Sequence, residues 1–247
     1  MSWPAGVGRE IHDEAGSTQD LARAAARAGV EGPVWYMARR QTAGRARRGR
    51  VWTAPPGNLS ATLLLRPALP AAAAARYSFV AALAVAEVWA ALAPGRSVAL
   101  KWPNDVLLEG GKSAGILLES EGPGATVDWI GVGIGVNLAG HPPADPEASV
   151  PPTSLAALGI APPPPEEALT LLAAGFDHWS RTYLTQGFAP IRAAWLARAA
   201  RLGAPITART GTETLQGLFA DLDAEGALVL HTPHGTRRVT AADVFFP

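Results

Sequence analysis

Hydrophobic positions recur along the chain with two periods, and the switches between them mark out its elements. The alanine-rich residues 19–28 follow Ser17-Thr18 and end at Gly29, so cap chemistry at both ends predicts a helix. Residues 34–38 read as a short strand, Leu59–Leu65 as a buried strand, and residues 76–93 as a long apolar helix. Residues 98–102 predict another strand. Two apolar runs, 106–108 and 112–119, flank Glu109-Gly110-Gly111 and predict a hairpin, with a further strand over 126–136. Prolines punctuate residues 139–165 and exclude long regular structure there, leaving one short helix over 154–158. Leu169, Leu172, Phe176, Trp179 and Tyr183 then recur at helical spacing, and a second helix carrying Ile191 and Trp195 ends near Gly203. Beyond Gly203 the texture changes to short alternating runs separated by turns, the pattern of a small antiparallel barrel. The expected division is a larger domain over 1–203 and a small one over 204–247.

Composition narrows the class. With 247 residues, 48% hydrophobic and 17% charged, the chain has ample material for a packed core and is not a disordered one. Basic and acidic residues number 21 each, so no net field draws the molecule to polyanions and any such affinity is local. The absence of cysteine excludes disulfides, thiolate nucleophiles and thiolate metal sites. The N-terminus lacks a basic-then-apolar leader, and the longest apolar run, 77–93, contains Glu87 and is rich in alanine. A cytoplasmic protein without a membrane span is expected.

Chemistry concentrates in two places. Residues 39–50 hold six arginines, no acid and two glycines, a loop able to close guanidinium forks and backbone amides around phosphate or carboxylate oxygens. Its crowded like charges lead us to expect residues 42–50 to be mobile until an anion orders them. Lys101-Trp102-Pro103-Asn104-Asp105 puts a cation, an amide and a carboxylate at a strand end, and Asp105 could hold magnesium through one oxygen. Only Lys101 and Lys112 are lysines in an otherwise arginine-based cation set, which suggests that both sites need a compact ammonium. Other motifs fail. Gly111-Lys112-Ser113 lacks the upstream glycine and following helix of a P-loop, Gly131-Val-Gly-Ile-Gly135 lacks the last glycine of a dinucleotide fingerprint, and there is no HExxH zinc pattern. The residues describe anion handling without a side-chain nucleophile.

Ser17-Thr18-Gln19, residues 41–52 with their Gly-Arg-Ala-Arg-Arg-Gly-Arg-Val-Trp core, residues 101–105, residues 111–117, and Gly133-Ile-Gly-Val-Asn137 together resemble the biotin protein ligases. The match runs in the family's order through nearly the whole chain, and residues 217–228 look like the family's SH3-like C-terminal domain. The resemblance implies an α+β fold: a mixed sheet with helices packed on it, akin to class II aminoacyl-tRNA synthetases, plus the SH3-like barrel. It implies activation of biotin by ATP and Mg2+ to biotinyl-5′-adenylate, then transfer to a lysine of a biotin carboxyl carrier domain.

Residue by residue, the resemblance assigns Ser17, Thr18, Gln19, Gln41, Arg45, Ala46, Arg47, Lys112 and Gly115 to biotin. Arg45, Arg47, Arg48, Arg50, Trp52, Asn104, Lys112 and Asn137 fall to ATP and the adenylate. Lys112, Arg47 and Asp105 are the catalytic candidates, Asp105 also the magnesium candidate, with Lys101 and Asn104 organising the carboxylate. Three positions depart from the usual pattern: Ala46 for glycine, Gln19 for asparagine, and Ser113 after the key lysine. Ala46 would matter most if its backbone needed positive φ. About sixteen residues precede Ser17, too few for the family's DNA-binding domain, so a ligase without repressor function or specific DNA is expected, and its expected assembly is a monomer or weak homodimer. Lipoate ligase or octanoyl transferase chemistry on the same fold, and a nonenzymatic RNA- or anion-binding module, are the rival readings.

Overall fold

The computed structural model describes residues 2–122 and 124–246. Seven strands make one sheet: β1 (Gly8–Ala15), β2 (Val34–Gln41), β3 (Leu59–Leu65), β4 (Val98–Lys101), β5 (Asp105–Leu108), β6 (Gly111–Glu121) and β7 (Trp129–Val136), in spatial order β1-β2-β3-β7-β6-β5-β4. β1 and β2 are parallel, joined through helix α1 (Thr18–Arg27), while the other pairs are antiparallel. Ser17 begins α1 in extended backbone and accepts from Gln19 N, a cap contributing about 1 kcal/mol.

Because side chains alternate across a strand, β7 has two unlike faces. Ile130, Val132, Ile134 and Val136 point into the main core, each buried aliphatic group contributing roughly 1.5–3 kcal/mol. Gly131, Gly133 and Gly135 point the other way, paired with Glu119, Leu117 and Gly115 of β6. The core face is covered by α3 (Tyr77–Leu92) and α4 (Pro165–Gln186), α3 being apolar all round because it packs on strands on one side and on α4 and α5 (Phe188–Leu196) on the other. A short helix, α2 (Ala71–Ala75), leads into α3. The 71–92 stretch has the length and hydropathy of a membrane span, but most of it is buried in this core. On the glycine face α1 covers one end of the sheet, packing Ala22 and Ala26 with Tyr36, Leu64 and Trp129.

The remaining strands, β8 (Pro205–Arg209), β9 (Thr214–Leu222), β10 (Leu228–Thr232), β11 (Gly235–Val239) and β12 (Asp243–Phe245), form a separate antiparallel sheet in the order β11-β10-β9-β8-β12, as in an SH3-like unit. Phe79 meets Trp195 at 5.6 Å between ring centroids, and Trp195 meets Phe219 at 6.5 Å, so aromatic packing continues from α3 into this sheet. Trp102 Nε1 donates to Gly226 O at 3.1 Å and Arg192 Nε to Leu222 O at 2.6 Å. These contacts fix β12 beside the arginine loop.

Four differences from the sequence reading have local causes. β1 and β12 were not expected: β1 is a largely polar edge strand, and β12 is only three residues long. β2 continues to Gln41 because β1 pairs with it throughout. β7 starts at Trp129, since Thr126 instead bridges Pro70.

Candidate active site

The glycine stripe is the floor of a trough. Thr18 and Gln19 rise from the start of α1 at one end, and Ser60 of β3 flanks the floor. The Gln41 amide oxygen accepts from Thr18 N at 2.9 Å and Thr18 Oγ1 at 3.2 Å, while Thr62 Oγ1 donates to Thr18 Oγ1 at 2.8 Å. Gln19 Nε2 donates to Leu117 O at 2.8 Å, and its buried Oε1 has no protein partner among the described residues. The side chain lies so flat that a Cβ on Gly133 would stand 2.6 Å from Gln19 Nε2. Trp52 covers the other end, where a Cβ on Gly115 would stand 2.9 Å from its ring. Its indole N–H is likewise buried without a partner. Both orphaned polar atoms belong to trough-lining side chains, and leaving them unmet costs roughly 1–3 kcal/mol each.

The trough opens into a wider cavity of about 310 Å³. Ala46, Arg47, Trp52, Asn104 and Lys112 line both spaces and form the junction. Register explains why Lys112 is there. Lys101 pairs with Asp105, and Asp105 with Gly115, so all three share the glycine face. A regular hairpin would turn Lys112 to the opposite face. The β6 strand instead bulges at Ser113, Leu107 pairs with Lys112, and the lysine returns to the face of Asp105. Ser113 Oγ donates to Val106 O at 3.1 Å and is fully buried, which gives this departure from the family pattern a structural role.

Asp105 lies between two ammonium groups, with Lys112 Nζ 2.7 Å from Oδ1 and Lys101 Nζ 3.5 Å from Oδ2. Burial raises its pKa, but the two lysines outweigh burial and hold it below the ordinary carboxylate value. Burial lowers the Lys101 pKa, with Asp105 opposing and Lys112 adding to the effect. The expected magnesium candidate, Asp105, thus has its charge compensated by cations at hydrogen-bond range, and the described residues hold no cluster of three or more His, Asp or Glu beside it.

The arginine loop is folded and pinned. Thr42 N donates to Ala15 O, Ala43 N to Gly16 O, and Trp52 N to Gly44 O, and residues 47–49 form a 3-10 turn. Ala46 is extended at φ −124°, so alanine carries no strain there; the left-handed residue is Arg48 at φ 57°. Carboxylates that no local pattern exposed supply the counter-charges. Arg45 pairs with Asp20 at 2.7 Å and Glu119 at 3.1 Å, bonds that outweigh burial and raise its pKa. Arg48 and Arg50 pair with Asp243. Arg47 points inward, donating to Asn104 Oδ1 at 3.2 Å, and burial lowers its pKa.

Thr18, Gln19, Gln41, Arg45, Ala46, Arg47, Lys112 and Gly115 therefore meet around one trough, while Arg50 and Asn137 line the wider cavity. Ser17 is spent on capping α1, and Arg48 faces β12; neither lines either space. Asn137 is a wall-builder, its Nδ2 donating to Thr153 O at 3.0 Å and its Oδ1 accepting from Asn58. Ser60 and Thr62 had no signal beyond lying on a buried strand.

The sequence matches the biotin/lipoate A/B protein ligase family over residues 17–137 and the biotin protein ligase C-terminal domain over 202–246. It is 54% identical over 222 residues to a biotin–acetyl-CoA-carboxylase ligase of Paracoccus denitrificans, covering 88% of this chain and 92% of that protein. It is 33% identical over 235 residues to the bifunctional ligase/repressor BirA of Bacillus subtilis strain 168, covering 94% of this chain and 72% of that one. The biotin protein ligase of Aquifex aeolicus, solved with biotin and ATP, superposes with a TM-score of 0.84 over 97% of this chain and 99% of that chain; at 23% identity this likeness speaks to the fold. The chain belongs to the biotin protein ligase family.

Proposed function

We propose that the chain activates biotin with ATP and transfers it to a lysine of a biotin carboxyl carrier domain. The observation that carries this reading is the junction: a narrow trough with amide and hydroxyl groups at one end meets a wider cavity at Lys112, Arg47 and Asn104. The bicyclic acid lies along the glycine floor near Thr18, Gln19 and Gln41. Its carboxylate points to Lys112, and the nucleotide fills the wider space beside Trp52 and Arg50. Carboxylate attack on the α-phosphate forms a C–O–P anhydride, breaks the α–β bond and releases pyrophosphate. Two unit negative charges at 4 Å repel by about 4 kcal/mol at an effective dielectric of 20. Lys112 and Arg47 offset that repulsion where the charge develops, and Asp105 holds Lys112 in place. The unprotonated ε-amine of the carrier lysine then attacks the activated carbonyl; a C–N bond forms, the C–O bond to AMP breaks, and the amine loses a proton. Magnesium enters with ATP as part of the substrate.

Pyrophosphate exchange into ATP tests the reading before any carrier is added. Exchange should require biotin. Exchange supported equally by lipoate or octanoate would favour the acyl-transfer relatives on this fold, and exchange without any acid would refute the assignment.

A further inference from the structure

The acid that faces Arg48 and Arg50 of the arginine loop comes from the C-terminal sheet. Asp243 opens β12, and its carboxylate meets Arg48 Nη1 at 2.9 Å and Arg50 Nη2 at 3.3 Å, with Arg47 Nη1 at 4.0 Å. Neighbouring carbonyls repeat the contact: Ala242 O accepts from Arg47 Nη1 and Arg209 O from Arg48 Nη2, each at 3.4 Å. Asp243 also lines the wider cavity, together with Arg47, Arg50, Lys101 and Lys112. Of the other carboxylates there, Asp105 is held by the two lysines, and Asp145 and Glu147 lie on the proline-rich 142–152 segment. Asp243 is therefore the anion around which Arg47, Arg48 and Arg50 gather, and it lines the space assigned to a polyphosphate.

We propose that Asp243 is a positioning residue that stands in for phosphate: it holds Arg48 and Arg50 until nucleotide binds, then yields Arg50, the one of the two that lines the cavity, to the phosphate oxygens. The C-terminal sheet thereby lowers nucleotide affinity by competition while keeping the loop folded in the free protein. This rests on the cavity being the nucleotide site. The contact is part-exposed, with the Asp243 side chain 22% accessible, so the competition is modest and reversible.

Calorimetric titration with α,β-methylene-ATP, which cannot be cleaved at the α–β bond, tests it. Asp243→Asn should bind the analogue about five-fold tighter than wild type. In an Arg48→Ala, Arg50→Ala background the same change should matter less than two-fold, because its effect runs through those side chains. Trypsin should cleave the free Asp243→Asn protein after Arg48 or Arg50 several-fold faster than wild type, and added analogue should erase the difference. Asp243→Ser serves equally should the asparagine variant fold poorly. A wild-type protein that binds no analogue overturns both the nucleotide reading and this one. Unchanged or weaker binding by the variant, or a gain that persists without the arginines, overturns the latch alone.

Discussion

Lys112→Met separates charge from packing at the junction. The methionine keeps an unbranched stem beside Trp52, so the change removes chiefly the ammonium, which lies 2.7 Å from Asp105 and 5.7 Å from the Trp52 ring centroid. At an effective dielectric of 20, unit charges at 2.7 Å interact by about 6 kcal/mol and at the 3.5 Å of Lys101 by about 5 kcal/mol. Asp105 thus keeps most of one compensating partner, and desolvation of the lost ammonium, 32% accessible, is recovered. The net cost to folding should be about 1–2 kcal/mol, a fall in melting temperature of roughly 2–8 °C for a chain of this size. On the proposed reading catalysis should lose far more, because the charge sits where the carboxylate and α-phosphate would meet. Removing a preorganised donor of this kind costs roughly 10²–10³ in rate. Circular dichroism melting and biotin-dependent pyrophosphate exchange read the two effects on the same sample. A folded variant with exchange within a few-fold of wild type would refute the role given to Lys112, and a variant that fails to fold would show that the ion pair is chiefly structural.

Asp105→Asn should reveal a pH-dependent contribution: the folded-state pKa is depressed, so the stabilisation is full above the ordinary value of 3.8 and is lost as pH falls through the folded value. The gap in melting temperature between wild type and variant should therefore narrow as pH drops below about 3.8; a gap constant with pH contradicts the pairing. Ser17→Ala should cost about 1 kcal/mol of stability through the lost cap while leaving biotin affinity within two-fold, whereas Thr18→Val, which removes a hydroxyl bonded to Gln41 and Thr62, should weaken biotin about ten-fold. Equal effects of the two on biotin would place Ser17 in the trough after all. Gly133→Ala should drive Gln19 off the trough floor, destabilise by about 1–3 kcal/mol and weaken biotin at least ten-fold by calorimetry; unchanged affinity would mean that the acid binds elsewhere.

α1 was legible from its caps, and β3, α3 and the β5-β6 hairpin from apolar runs bounded by turn residues, because these signals are local to the chain. β1 was not, because Gly-Arg-Glu-Ile-His-Asp-Glu-Ala carries one large apolar residue and gains its order from pairing with β2. The same limit governs the site. Gly131-Val-Gly-Ile-Gly135 could be read as a strand of small residues, yet its function as a floor depends on which face meets Thr62 and Leu117, a matter of register between strands far apart in sequence. Lys101 and Lys112 stood out as the chain's only lysines, but their convergence on one carboxylate requires the bulge at Ser113, which no periodicity encodes. The arginine loop is the sharpest case. Read locally it is a run of unbalanced charge, and repulsion argues for mobility. In the fold Asp20, Glu119 and Asp243, drawn from a helix, a distant strand and the C-terminal sheet, neutralise it. Attraction between opposite charges carries no sequence period, so a loop that looks unpaired along the chain can be closely paired in space, and on the proposed reading an incoming anion displaces a carboxylate instead of entering an empty ring of cations.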